Sequence, residues 1–145
     1  MMNFRRMTEK DLAEATALYI DYYNNHEDGS WTEATTSKRI SQVLTREDSY
    51  CLVLEENDRM IAFAMGYFEQ YDDGTAYDLV EIVVASDKQN AGIGTRFMQE
   101  LEECVKSQGT MLIQFQAVND EMHEHFYGKL GYRTARNLVL KSKIL

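Results

Sequence analysis

Apolar residues recur at helical spacing in four stretches of this chain and at strand spacing in six others. Leu12, Ala15, Tyr19 and Tyr22 share one side of a first helix, opened by a capping box at Thr8-Glu9-Lys10-Asp11 and ended near Asn24-Asn25. After a loop from His26 to Ser30, Ile40, Val43 and Leu44 mark a second helix at i, i+3, i+4. Ile93, Phe97, Leu101 and Val105 form the apolar stripe of a third, Ile93–Ser107, which Gly109 stops as a C-terminal cap. Met122, Phe126 and Leu130 recur every four residues on a fourth, closed by Gly131. Strand patterns cover Met2–Met7, Tyr50–Glu55, Met60–Gln70, Thr75–Val84, Thr110–Val118 and Leu138–Lys141. Glu56-Asn57-Asp58-Arg59 and Asp72-Asp73-Gly74 are turns, so three antiparallel strands precede the third helix. The predicted order is β-α-α-β-β-β-α-β-α-β, an α/β (α+β) arrangement.

At 145 residues the chain fits one domain, 1–145, with one core. Hydrophobic content of 44% with 27% charged residues fits a globular protein, and no apolar run approaches the roughly 20 residues of a membrane span. Met1–Lys10 carries charges where a signal peptide needs an apolar centre, so a cytoplasmic protein is expected, with no membrane partner. Cys51 lies in a strand pattern and Cys104 in a helix, without a C-x-x-C, which predicts reduced structural thiols. His123 and His125 would point about 200° apart on a helix and cannot share a metal as an i, i+4 pair does, so no metal site is expected. A net charge of −9 argues against nucleic acid, which needs clustered Lys and Arg. Acidity fits a cationic acceptor and equally fits solubility.

The chemistry begins at Gln89-Asn90-Ala91-Gly92-Ile93-Gly94-Thr95, between the Thr75–Val84 strand and the third helix. A strand turning into a helix through glycines presents backbone N–H groups at the positive end of the helix dipole, which suits a pyrophosphate. A dinucleotide-binding G-x-G-x-x-G would need a small residue where Phe97 stands and an acid near Leu112-Ile113-Gln114. A Walker loop would need Ser or Thr after Gly128-Lys129, where Leu130 stands. The remaining pattern, Gln/Arg-x-x-Gly-x-Gly/Ala, resembles the acetyl-CoA-binding signature of the GNAT superfamily of N-acetyltransferases. A second segment, Phe126-Tyr127-Gly128-Lys129-Leu130-Gly131-Tyr132, is similar to the aromatic-Tyr-x-x-x-Gly-aromatic segment of the same family, and the element order matches along essentially the full chain.

The resemblance implies a mixed, mostly antiparallel sheet flanked by helices, with two splayed parallel strands holding acetyl-CoA as acetyl donor. It implies direct transfer to a primary amine of a small acceptor in a ternary complex; a non-catalytic acyl-CoA-binding or regulatory module is the alternative. By motif alignment the backbone of Ile82 and Val84 would bond pantetheine, and Gln89, Asn90, Ala91, Gly92, Ile93, Gly94 and Thr95 would hold the pyrophosphate. Lys88 and Arg96 would offset phosphate charge, and Asn119 or Asp120 would contact cofactor or acceptor. Tyr127 matches the family's usual general acid, a phenol protonated at neutral pH and able to donate to sulfur. The base is Glu81 or Asp78, which strand alternation sends to opposite faces; Glu81 is favoured, acting through water, and Asp78 then falls to the substrate side. Tyr22 and Trp31, near His26, Glu27 and Asp28, would line the acceptor cleft, where aromatic faces beside carboxylates suit a cationic amine. Homodimers are common in the family.

Overall fold

The two longest alternating stretches become the two longest strands of the computed structural model, which describes residues 1–145. These are β3 (Arg59–Gln70) and β4 (Thr75–Val84); with β1 (Met2–Arg6), β2 (Leu52–Glu56) and β5 (Leu112–Gln114) they form one sheet in the order β1-β2-β3-β4-β5. The first three pairings are antiparallel, and β4 pairs with β5 in parallel. The helices are α1 (Leu12–His26), α2 (Glu33–Leu44), α3 (Ile93–Ser107) and α4 (Glu121–Lys129).

Alternation along the strands feeds two cores, one on each face of the sheet. Tyr19 of α1 and Ile40 and Val43 of α2 pack with Val53, Phe63 and Met65 on one face. Phe97, Met98 and Leu101 of α3 pack with Leu54, Ile61 and Tyr77 on the other, and Phe126 and Tyr127 of α4 lie against that second cluster. Each fully buried Leu, Phe or Met contributes about 1.5–3 kcal/mol relative to exposure. No helix is long and apolar enough to cross a membrane.

Three expectations fail. The strand predicted over Thr110–Val118 pairs with β4 only at Leu112, Ile113 and Gln114. Beyond Gln114 the two strands diverge, and Phe115, Gln116 and Ala117 make no backbone hydrogen bond. The final strand predicted at Leu138–Lys141 does not form: its β-prone side chains are 69–76% exposed at Leu138, Val139 and Leu140, and no ladder reaches them. Simple alternation also fails in β4. Met65 stands opposite Glu81 while Gly66 stands opposite Leu79, so Val80 is a bulge residue. The extra residue resets the pleat, and Asp78 and Glu81 come to share the α1/α2 face instead of opposing ones.

Candidate functional site

The turn from β4 into α3 is built of unusual backbone. Asn90 at φ 61° and Gly92 at φ 76° are both left-handed, a conformation that glycine adopts freely and asparagine tolerates better than most residues. This geometry turns successive amides toward one concavity, and none of the six from Asn90 to Thr95 donates to a protein acceptor. They sit at the N-terminus of a fifteen-residue helix, where the dipole adds positive potential. A Cβ on Gly94 would lie 3.3 Å from Phe126, so glycine lets α3 approach α4. The Gln89 amide donates to the Val84 carbonyl at 2.7 Å and ties the end of β4 to the cradle.

A groove of about 460 Å³ runs from this cradle along the diverging side of β4. It brings together Gln89, Asn90, Gly92, Ile93, Gly94 and Thr95 with Ile82, Val84, Tyr22 and Tyr127; on its α4 wall stand Phe126, already marked by the second motif, His123, one turn before Tyr127, and Met122, which the sequence marked only as part of an apolar stripe. Lys88 reaches the groove but its ammonium is paired with Glu56 at 2.5 Å. Arg96 stacks over Phe4 instead. Ala91 contributes its amide to the cradle and does not line the groove. Asn119 lies in an adjoining cavity of about 350 Å³ that shares Tyr127 and His123 with it.

Tyr127 is held by aromatic neighbours, with Phe115 at 4.6 Å and Phe126 at 4.9 Å between ring centres. The hydroxyls of Tyr19, Tyr22, Tyr23, Tyr77 and Tyr132 all donate to protein acceptors. The Tyr127 hydroxyl donates to none, which leaves it free for a ligand. Burial, and secondarily the negative charge of Glu81, push its pKa up, so it carries its proton throughout the neutral range.

Glu81 accepts from Tyr23 at 2.5 Å, from Tyr19 at 3.1 Å and from the Arg39 guanidinium at 3.0 Å. These donors come from α1 and α2, about 40 to 60 residues away in sequence, and no local signal announces them. Trp31 stands edge-on to Tyr19 at 5.1 Å and beneath Arg39, and it joins this cluster without lining the groove. Tyr22 donates to Glu27 at 2.9 Å. Asp78 sits opposite Gln114, the last rung before β4 and β5 part. Its Oδ1 accepts from Gln114 at 2.8 Å, and its Oδ2 is buried without a partner. Burial, then the neighbouring Glu69, raises the Asp78 pKa to about 6. The two candidate carboxylates therefore differ in environment: Glu81 is satisfied by cationic and phenolic donors, whereas Asp78 is starved of them.

No group of three or more His, Cys, Asp or Glu side chains is clustered to hold a metal ion. The cradle, the splayed strands and the unpartnered phenol together describe an α/β domain built to take a phosphate-bearing ligand with an extended arm. Residues 47–134 match the acetyltransferase (GNAT) domain family. The chain therefore belongs to the GNAT acetyltransferase family. Among solved structures it is similar to a possible acetyltransferase from Clostridium difficile 630, at 14% identity and TM-score 0.85, covering 100% of this chain and 99% of that one. It is also similar to an aminoglycoside 6'-N-acetyltransferase from Acinetobacter baumannii, at 21% identity and TM-score 0.71 over 100% and 99% of the two chains. A transcriptional regulator from Bacillus halodurans C-125 shares the fold at 17% identity and TM-score 0.80, over 99% and 100%. No curated protein sequence matches the chain.

Proposed function

We propose that the protein is an N-acetyltransferase that moves an acetyl group from acetyl-CoA to the primary amine of a small, cationic acceptor in a ternary complex. The observation that carries this reading is the row of six unpaired amides, Asn90 to Thr95, opening into a groove that ends at a free phenol. Those amides fit a pyrophosphate, and the exposed edges of Ile82 and Val84 fit an extended arm laid against β4. From Val84 to Asp78 the strand runs six residues, roughly 20 Å at about 3.3 Å per residue. Bound there, acetyl-CoA supplies an activated thioester.

The chain's own groups divide the proton work. Tyr127 donates its hydroxyl proton to the leaving sulfur. Glu81, fixed by Arg39, Tyr19 and Tyr23, steers the acceptor's positive charge into the cleft between Tyr22 and Tyr127. Asp78, the carboxylate with a pKa near neutrality, receives the amine proton through water. The raised proton affinity of Asp78 suits it to the accepting role. Trp31 supports the cleft from behind as part of the Glu81 cluster, and Asn119 lines the same cavity as Tyr127. Free Cys51 and Cys104 fit a cytoplasmic setting.

Thiol release from acetyl-CoA across a panel of small primary amines tests the assignment. Tyr127→Phe should lower kcat by about 10²–10⁴-fold, the usual range for a general acid or base, with coenzyme A affinity unchanged. Tight coenzyme A binding without turnover on any amine would favour a non-catalytic acyl-CoA-binding module, a reading the regulator with the same fold keeps open. Absence of coenzyme A binding would overturn both.

A further inference from the structure

Asp78 keeps one oxygen that no donor reaches, and its neighbours explain how the chain tolerates this. The Oδ2 atom is buried without a partner, which for an ionised carboxylate means lost hydration with nothing in return. Arg46, in the turn after α2, does not fill the gap: its guanidinium is taken by the Tyr67 ring, 3.4 Å from the ring centre. What meets Asp78 is a second carboxyl. Tyr67 of β3 stands opposite Asp78 and Glu69 opposite Ala76, so Glu69 is the diagonal neighbour of Asp78 on one face of the ladder, within reach of a long side chain. The two carboxyls are hydrogen-bonded to each other. Ionised carboxylates have no donor, so they can meet in this way only over a proton.

The remaining contacts fix the pair. The Gln114 amide donates to Asp78 Oδ1 at 2.8 Å and to the Tyr71 hydroxyl at 3.0 Å. Tyr71 in turn donates to Glu69 Oε1 at 3.2 Å. A ring of hydrogen bonds therefore runs through Asp78, Gln114, Tyr71 and Glu69 and closes where the carboxyls meet. Gln114 belongs to the last rung of the β4–β5 seam and lines a cavity with Tyr127, which sets the ring beside the proposed site of transfer. Facing the pair are Tyr67 on β3, Tyr71 after it, Arg46 after α2 and the neutral Gln114 on β5. The proton affinities agree with this geometry. Asp78 is raised to about 6 by burial first and then by Glu69, whereas Glu69 is held below its ordinary value by the Asp78 hydrogen bond first and then by Tyr71. Opposite shifts are expected when one carboxyl keeps the proton and lends it to the other.

We propose that Asp78 and Glu69 share a single proton at Asp78 Oδ2, and that Glu69 is a positioning residue that sets how strongly Asp78 holds it. The consequence for catalysis rests on the acetyl transfer proposed above. An N–H bond of the acceptor breaks, its electron pair stays on nitrogen as the nucleophile, and the proton, carried through water, comes to rest between the two carboxyls.

Carbon-13 NMR of the side-chain carboxyls in the full-length chain, titrated without acetyl-CoA or amine, tests the pair directly. In wild type both the Asp78 and the Glu69 signals should move through the step near pH 6, since a shared proton makes that step a property of the pair. Glu69→Gln puts an amide donor in place of the proton and should lower the Asp78 midpoint by at least about one pH unit. Gln114→Leu removes the donor to Asp78 Oδ1 and should raise it. Substitutions that merely loosened the strands would not move one midpoint in opposite directions. The acid limb of kcat/KM should follow each midpoint. An Asp78 midpoint unmoved in Glu69→Gln, or a Glu69 signal silent through the Asp78 step, would overturn the proposal even with acetyl transfer intact. Both shifts without acetyl transfer to any amine would uphold the pair and remove the acetyltransferase reading alone.

Discussion

Exchanging the two carboxylates of β4 one at a time separates the steering role proposed for Glu81 from the proton-accepting role proposed for Asp78. Glu81→Gln keeps the shape but removes the charge that holds Arg39 and two phenols. The Glu81 side chain is only 14% exposed, while Arg39 is 38% exposed and can recover part of its hydration. Hydrogen bonds to charged groups contribute about 1.5–3 kcal/mol each, and part survives with an amide acceptor, so a loss of about 2–3 kcal/mol is expected. For 145 residues the unfolding entropy is about 0.3 kcal/mol/K, so Tm should fall by about 7–10 °C. The KM for the amine should rise while the shape of kcat/KM against pH is kept. In wild type that profile should decline as pH falls below about 6, where Asp78 takes a proton. At one pH unit below that value about nine-tenths of the base is lost, a roughly tenfold drop in rate. Asp78→Asn should erase this limb and lower kcat by about 10²–10⁴-fold. Steady-state thiol release between pH 5 and 9, with thermal unfolding measured in parallel, reads both quantities. A flat acid limb in Glu81→Gln with the limb intact in Asp78→Asn would refute the division of labour and return the base to Glu81.

Further outcomes follow from other parts of the fold. Gly92→Ala forces a left-handed backbone on a residue with a Cβ and should cost about 1–2 kcal/mol while raising the coenzyme A dissociation constant at least tenfold, read by calorimetry. Gly66→Ala would drive a Cβ into the Asp78 carbonyl and the Tyr77 ring, and a Tm loss exceeding about 10 °C is expected from overpacking against backbone. The Arg5 guanidinium holds Asp11 and Glu55 below their ordinary pKa values of 3.8 and 4.5. Their contribution is present above the unfolded pKa and lost as pH falls through the folded one. Arg5→Met should therefore flatten the decline of stability below about pH 4.5 in urea titrations.

Elements whose identity is written locally were legible. The α3 span, Ile93–Ser107, and the β4 span, Thr75–Val84, match the pattern because an amphipathic stripe and an alternating run each carry their own period. The turn into α3 was legible because Gly92 stands where a left-handed backbone is required, a conformation glycine adopts freely. What stayed hidden depends on distant partners. The Val80 bulge is a property of β3–β4 pairing, and one inserted residue reverses the face assigned to every position on one side of it. Tyr19, Tyr23 and Arg39 gather around Glu81 only once α1 and α2 are packed. Leu138–Lys141 has a strand's composition, but composition does not supply an adjacent edge to pair with.

The brevity of the β4–β5 pairing has a mechanical consequence. Three rungs are all that stitch the last third of the molecule to the main sheet along that seam, and beyond them the segment after Gln114 shares no backbone hydrogen bond with β4. An arm lying in the wedge acts as a splint, so the seam should breathe when empty and stiffen when filled. On the proposed binding mode, filling and emptying the wedge would set and loosen the region that carries Tyr127.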